Sequence, residues 1–162
     1  MRAIGIGELV WDLLPNGPRL GGAPFNVIAH LERLGCETWF LSAVGVDELG
    51  ARALDEVKRL NVNASFVQTV AVPTGVVRVQ LDPLGVPEYE IVSPAAYEAL
   101  SPVDPTSAIG AFDVLVFGTL AQRSSGTLIT TRRLAEAQPG AVRLYDVNLR
   151  RGCWSPSLVE HL

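Results

Sequence analysis

The chain has 162 residues, 48% of them apolar, 19% charged and 7% aromatic, the profile of a globular domain able to bury roughly 70% of its unfolded surface rather than of a disordered or fibrous chain. Its formal net charge of −4 argues against nucleic acid or an anionic membrane as partner, because both favour a basic face, and leaves a small soluble molecule as the expected one. No run approaches the ~20 apolar residues of a membrane span, and the acidic Glu8 and Asp12 come too early for a secretory signal, so the expected compartment is the cytoplasm.

Along the chain, short apolar runs alternate with helical patterns, the mark of a mostly parallel, Rossmann-like α/β sheet flanked by helices. A first strand is expected over Ala3 to Gly7. Leu9 to Leu20 breaks the alternation, reading as strand-like chain around a Pro15-Asn16-Gly17-Pro18 turn. A helix follows from Pro24 to Leu34, with Pro24 suited to the first turn, Val27, Ile28, Leu31 and Leu34 at helical spacing, and Gly35 as its stop. The strand Thr38 to Val44 leads to Asp47, a good N-cap for a second helix that ends near Leu60 and carries Leu54, Val57 and Leu60 on one face. After a strand at Ala64 to Gln68, Thr74 to Ile91 reads as a hairpin around Pro83-Leu84-Gly85-Val86-Pro87, with Val77, Val79 and Leu81 alternating with Arg78 and Gln80. Strands at Asp113 to Phe117 and Val142 to Val147 enclose a third helix, Ser124 to Ala137. The two irregular stretches, about 9–20 and 74–97, are expected to be insertions that form a small β-sheet lid over the end of the main sheet where ligands of open α/β folds bind.

Several chemistries drop out. Gly5-Ile6-Gly7 begins like a dinucleotide fingerprint, but Val10 stands where the third glycine is required. There is no GxxxxGK[ST] phosphate loop and no GxSxG elbow, and His30 and His161 read as ordinary helix and chain-end imidazoles. Cys36 and Cys153 lack the spacing of a zinc or redox site and read as free thiols, so no metal site is expected in the chain.

The positive signal is Gly21-Gly22-Ala23-Pro24-Phe25-Asn26. Paired glycines before a helix admit a ligand that a Cβ would exclude. Asn26 offers an amide donor and an acceptor, matching a sugar hydroxyl that is both. Asp12, ionised, can take two adjacent hydroxyls at once. Singly these residues also read as a turn, a helix-end residue and a surface acid; their order, strand, acid, Gly-Gly turn, helix with amide, is what points to a site.

That segment, with Gly35 and Gly45 following, resembles the first signature of the ribokinase-like, or PfkB, carbohydrate kinases. Gly7-Glu8 with Trp11-Asp12, Val44-Gly45-Val46-Asp47-Glu48-Leu49-Gly50, Ser93-Pro94-Ala95-Ala96 and Asp146-Val147-Asn148-Leu149-Arg150 through Trp154 resemble, in this order, fructokinase-like members. The likeness spans essentially the whole chain. It departs at Ile28, where the signature prefers a small residue, which bears on packing beneath the sugar.

The resemblance implies a ribokinase-like fold and transfer of the ATP γ-phosphoryl group to a hexose or ketose hydroxyl, with Mg²⁺. It further implies sugar contacts from Asp12, Gly21, Gly22 and Asn26, lid contacts from Gln80 and Tyr89, and a strand-end motif at Asn148 and Arg150 near the path of the phosphate. Asp47 stays a helix cap and Asp146 a structural acid. The family's catalytic base is the aspartate of a Gly-Ala-Gly-Asp motif in the second half of a longer chain, and this sequence holds no such motif. The chain is therefore expected to be an amino-terminal half that carries the sugar side without the ATP site or base, inactive alone. Its sheet edge at Val142 to Val147 would be left open, inviting self-association or pairing with the missing half. A 2-keto-3-deoxygluconate kinase, with Arg150 on the carboxylate, an adenosine-type nucleoside kinase, with Tyr89 as base platform, and a non-catalytic sugar-binding module are the alternatives.

Overall fold

A computed structural model describes residues 1–81, 87–150 and 152–160. Five parallel strands make the main sheet: β1 (Arg2–Ile6), β4 (Glu37–Gly45), β5 (Asn63–Val70), β8 (Val114–Gly118) and β9 (Val142–Asp146), in the order β5-β4-β1-β8-β9. A parallel sheet needs cover on both faces. One face is covered by α1 (Ala23–Arg33) and α2 (Glu48–Arg59), whose Phe25, Ile28, Ala53 and Val57 pack with Phe40, Val44 and Val116. The other is covered by α3 (Thr106–Ile109), α4 (Ser125–Ala137) and a 3-10 turn at Ala96–Ala99, through Ile109, Leu134 and Ala96 against Ile4, Ile6, Leu41, Leu115 and Phe117. A short α5 (Pro156–Glu160) follows β9. No described helix is long and apolar enough to cross a membrane.

The order reverses at β1, whose neighbours β4 and β8 belong to opposite halves of the sheet. Such a switch leaves a crevice beyond the carboxyl ends of the strands. Over it lies a second sheet of β2 (Val10–Leu14), β3 (Gly17–Gly21), β6 (Gly75–Leu81) and β7 (Pro87–Ile91), ordered β3-β2-β6-β7. Two antiparallel hairpins are joined by parallel pairing of β2 with β6, in which Asp12 stands beside Val77. Residues 83–86 of the expected hairpin turn lie outside the described residues. Past Ile91 the chain returns to the body, where Ala96 and Leu100 are buried in the main core.

Two anchors fix the second sheet to the body. Val10 and Val77 bury against Ala95, Tyr97 and Ala121. Asp47 caps α2 by accepting from Gly50 N at 2.7 Å, and it also accepts from Thr74 N at 2.8 Å and Thr74 Oγ1 at 2.7 Å, pinning the entry to β6. Partial burial opposes ionisation of Asp47, but the Thr74 and Gly50 donors outweigh it and hold the carboxyl below the usual range.

Some expected element boundaries shift, and β9 ends at Asp146 rather than Val147. Leu34 does not join the apolar face of α1: the helix ends at Arg33, Leu34 is its C-cap, and its side chain is 79% exposed. The strand read as Ala64 to Gln68 runs on to Val70, because Thr69 and Val70 continue the ladder with Val44 and Gly45. The larger Ile28 is accommodated by Gly5 beneath it, where a Cβ would lie 2.3 Å from Ile28 Cγ1; the strand glycine supplies the volume that the helix residue takes.

Candidate functional site

The site is organised by the Gly-Gly turn between β3 and α1. Gly22 has φ +128°, and a Cβ there would stand 2.1 Å from the carbonyl oxygen of Glu8, so only glycine fits both the backbone conformation and the approach. This brings the first turn of α1 down onto the chain leaving β1. Ala23 N donates to Glu8 Oε1 at 3.0 Å.

Gly21 is buried, and what surrounds it fixes the aim of two side chains. A Cβ there would meet Asp12 Oδ2 at 3.0 Å and Asn26 Oδ1 at 3.9 Å. The acid from β2 and the amide from α1 therefore border the same space above a residue that leaves it empty. That space belongs to a cavity of about 260 Å³. Gly22, Asn26 and Glu8 stand on the body side, Asp12 and Tyr89 on the second sheet, and Asn148 and Arg150 on the chain that follows β9. Val77, Ile91 and Leu120 give it an apolar wall.

The sequence-derived candidates thus gather as follows. Asp12, Gly22, Asn26, Tyr89, Asn148 and Arg150 line one cavity, and Gly21 lies beneath it. The side chain of Gln80 lies outside the described residues, as does His161. Cys36 is buried and Cys153 half-buried, and both are free. Asp146, read as structural, is the last residue of β9, and its charge acts on Glu8.

Arg150 ties the two sides of the cavity together. Its guanidinium lies 5.2 Å from the centre of the Tyr89 ring, so a cation from the body rests on an aromatic of the second sheet. It shares the cavity with Asp12 and Glu8, and its charge acts on both carboxyls. Burial raises the Asp12 carboxyl above its ordinary value, and Arg150 pulls the other way.

Glu8 is the cavity residue that motif reasoning left without a role. It is 3% exposed, and its second oxygen, Oε2, has no hydrogen-bond partner among the described residues. Burial pushes its carboxyl from 4.5 up to about 7, the nearby Asp146 acts in the same direction, and backbone N–H groups with Arg150 resist. A signal for it was present: a lone acid inside the apolar run from Ile4 to Val10 is out of keeping with a buried strand end.

Chemically the cavity offers two carboxyls, two amides, a phenol and one guanidinium against an apolar wall, a set that complements a compact polyol with hydroxyls on one side and C–H groups on the other. Among the described residues no three His, Cys, Asp or Glu side chains gather as a metal site.

Comparison with known proteins gives this geometry a setting. Residues 17–160 match the pfkB family of carbohydrate kinases. Fructokinase of Klebsiella pneumoniae is 32% identical over 158 residues, covering 92% of this chain and 51% of that protein. The apo structure of fructokinase from Vibrio cholerae O395 superposes with a TM-score of 0.78 at 26% identity, covering 99% of this chain and 60% of that one. A sugar kinase of Pyrococcus horikoshii, solved in complex with ATP, superposes with a TM-score of 0.79 at 24% identity, over 98% of this chain and 57% of that one. The chain spans about half the length of the curated relatives it matches. A family match over most of the sequence, on a fold shared with these kinases, establishes that the chain belongs to the pfkB family of carbohydrate kinases.

Proposed function

We propose that the protein is an ATP-dependent sugar kinase of the fructokinase kind, and that this chain supplies its sugar-holding side. The observation that carries the reading is the convergence of Asp12 Oδ2 and Asn26 Oδ1 on the space above Gly21. Asp12 accepts from two hydroxyls, Asn26 accepts from one and donates to another, and the Val77, Ile91 and Leu120 wall takes the carbon face. Tyr89, on the second sheet, closes over the sugar with Arg150 beneath its ring. Gln80, on the neighbouring strand, belongs to the same lid.

Phosphoryl transfer also needs a base for the acceptor hydroxyl and a cradle for the nucleotide phosphates. The sequence holds neither a Gly-Ala-Gly-Asp motif nor a phosphate loop, so ATP, Mg²⁺ and the base are assigned to the part of the parent protein that corresponds to the other half of its relatives. The chain alone turns over no sugar. The open edge at β9, where Val142 is 64% and Leu144 40% exposed, is covered by that other half.

A sugar acid is a weaker fit. Arg150, the group that would take its carboxylate, already rests over Tyr89 and lends its charge to Asp12 and Glu8. The test is ATP-dependent phosphorylation by the full-length protein across fructose, ribose, 2-keto-3-deoxygluconate and adenosine. Fructose should give the highest kcat/KM; transfer to none of the four overturns the reading, and preference for the acid overturns the role given to Arg150.

A further inference from the structure

We propose that the groove on the other flank of α1 is a binding site for a small phosphate-bearing anion, separate from the sugar cavity. The groove encloses about 690 Å³, within the range of small-molecule sites. One wall is the α1 face that carries Asn26, His30 and Arg33; the facing wall is the α2 face that carries Arg52, Glu56 and Arg59. Arg19, from β3, stands at its edge.

The charges in it do not cancel. Four arginines meet one carboxylate, Glu56, and Arg59 Nε already donates to Glu56 Oε2 at 2.8 Å. Arg52 rests 5.1 Å from the centre of the Trp11 ring, which orients its guanidinium without neutralising it. Arg33 has no carboxylate partner among the described residues. This lies in a chain of net charge −4, so the basic groove is a local feature rather than a share of a general positive surface. Cations gathered in a concave site focus their field on an incoming anion, and guanidinium forks match the oxygens of a phosphate. The chain's overall negative charge disfavours a nucleic acid, whose long backbone would meet acidic surface beyond the groove.

The groove also touches the elements that shape the sugar cavity. Trp11, in its floor, precedes Asp12 on β2 and donates from Nε1 to Leu49 O at 3.0 Å. Asn26 borders both spaces, and Arg19 stands opposite Asp12 in the β2–β3 ladder. An anion held between the helices and this hairpin fixes the hairpin that carries Asp12, so anion and sugar binding are coupled reciprocally.

Calorimetric titration of the full-length protein at about 50 mM salt, with glycerol phosphate as probe, inorganic phosphate beside it and glycerol as uncharged control, tests the site without depending on turnover. The expected result is saturable binding of glycerol phosphate, none of glycerol, and a loss of about tenfold or more in Arg33→Gln and in Arg52→Gln. Inorganic phosphate binding as tightly as the ester would narrow the recognised chemistry to the phosphate group itself. Both variants should keep the wild-type melting temperature and anion-free sugar KM. No saturable binding, wild-type affinity in both arginine variants, or tighter binding of a single-stranded oligonucleotide than of the ester overturns the proposal. A full-length protein that binds the ester but phosphorylates no sugar refutes the function proposed above and leaves this site standing.

Discussion

In the main sheet, β1, β4 and β8 are buried on both faces, and their side chains do little except pack. In the second sheet, β2 and β6 are buried at one end only, where Val10 and Val77 meet the body, and beyond that point polar groups such as Asp12, Arg78 and Tyr89 take over. The rigid sheet fixes where chain ends emerge; the lightly anchored one supplies groups that face them. The cavity exists only where the two meet, so its geometry depends on a short list of contacts: Gly22 against Glu8, Asp47 with Thr74, the Val10–Tyr97 cluster and Arg150 on Tyr89.

Breaking the first of these contacts should have the largest effect. Gly22→Ala places a methyl 2.1 Å from a backbone oxygen at φ +128°, and neither a flexible side chain nor a rotamer change can relieve it. A loss of about 3 kcal/mol or more is expected in chemical denaturation of the full-length protein. Gly21→Ala sharpens the contrast, since its methyl meets side-chain ends rather than backbone, Asp12 Oδ2 at 3.0 Å and Asn26 Oδ1 at 3.9 Å; stability should change little while the sugar KM rises.

Next comes Glu8, on the body side of the same turn. Its folded carboxyl titrates near 7 against 4.5 for the ordinary group, so the folded state binds the extra proton between those values. The stability this gives is fully present below about pH 4.5 and is lost as pH rises through 7, an amplitude of about 3 kcal/mol. Denaturation midpoints across pH 4.5 to 8 should therefore fall in the wild type, and Glu8→Gln should flatten that slope. An unchanged slope means the acid is not buried as described.

Asp12→Ala should raise the sugar KM by about 30-fold, on the order of 2 kcal/mol, because hydroxyls selected by a carboxylate lose their acceptor. Tyr89→Leu should do less: the exposed cation–π contact contributes about 0.5–1 kcal/mol, so a rise of a few-fold in KM with an unchanged melting temperature is expected. A Tyr89 variant that lowers stability as much as Gly22→Ala would mean that the second sheet is no lightly held cover.

The same contrast explains which parts of the molecule the sequence disclosed. Runs such as Ala3 to Gly7 and Asp113 to Phe117 read correctly as strands because burial on both faces leaves a continuous apolar signature. The parallel pairing of β2 with β6 did not, since it joins segments more than sixty residues apart and no local pattern encodes it. Asp12, Gly22 and Asn26 stood out through their order along the chain, acid, Gly-Gly turn and helix with amide, which lies within fifteen residues and resembles a family signature. Glu8 did not, because its role comes from what folds over it: the Gly22 turn, Ala23 N and the charges of Asp146 and Arg150. Leu34 misled for the opposite reason, a periodic position counted one step past the end of its helix.

The most direct test of the shared cavity is a crystal structure of the full-length protein with fructose bound. Sugar hydroxyls should lie about 2.7–3.2 Å from both the Asp12 carboxylate and the Asn26 amide, above Gly21. A sugar seated elsewhere, with those two side chains turned apart, would contradict it.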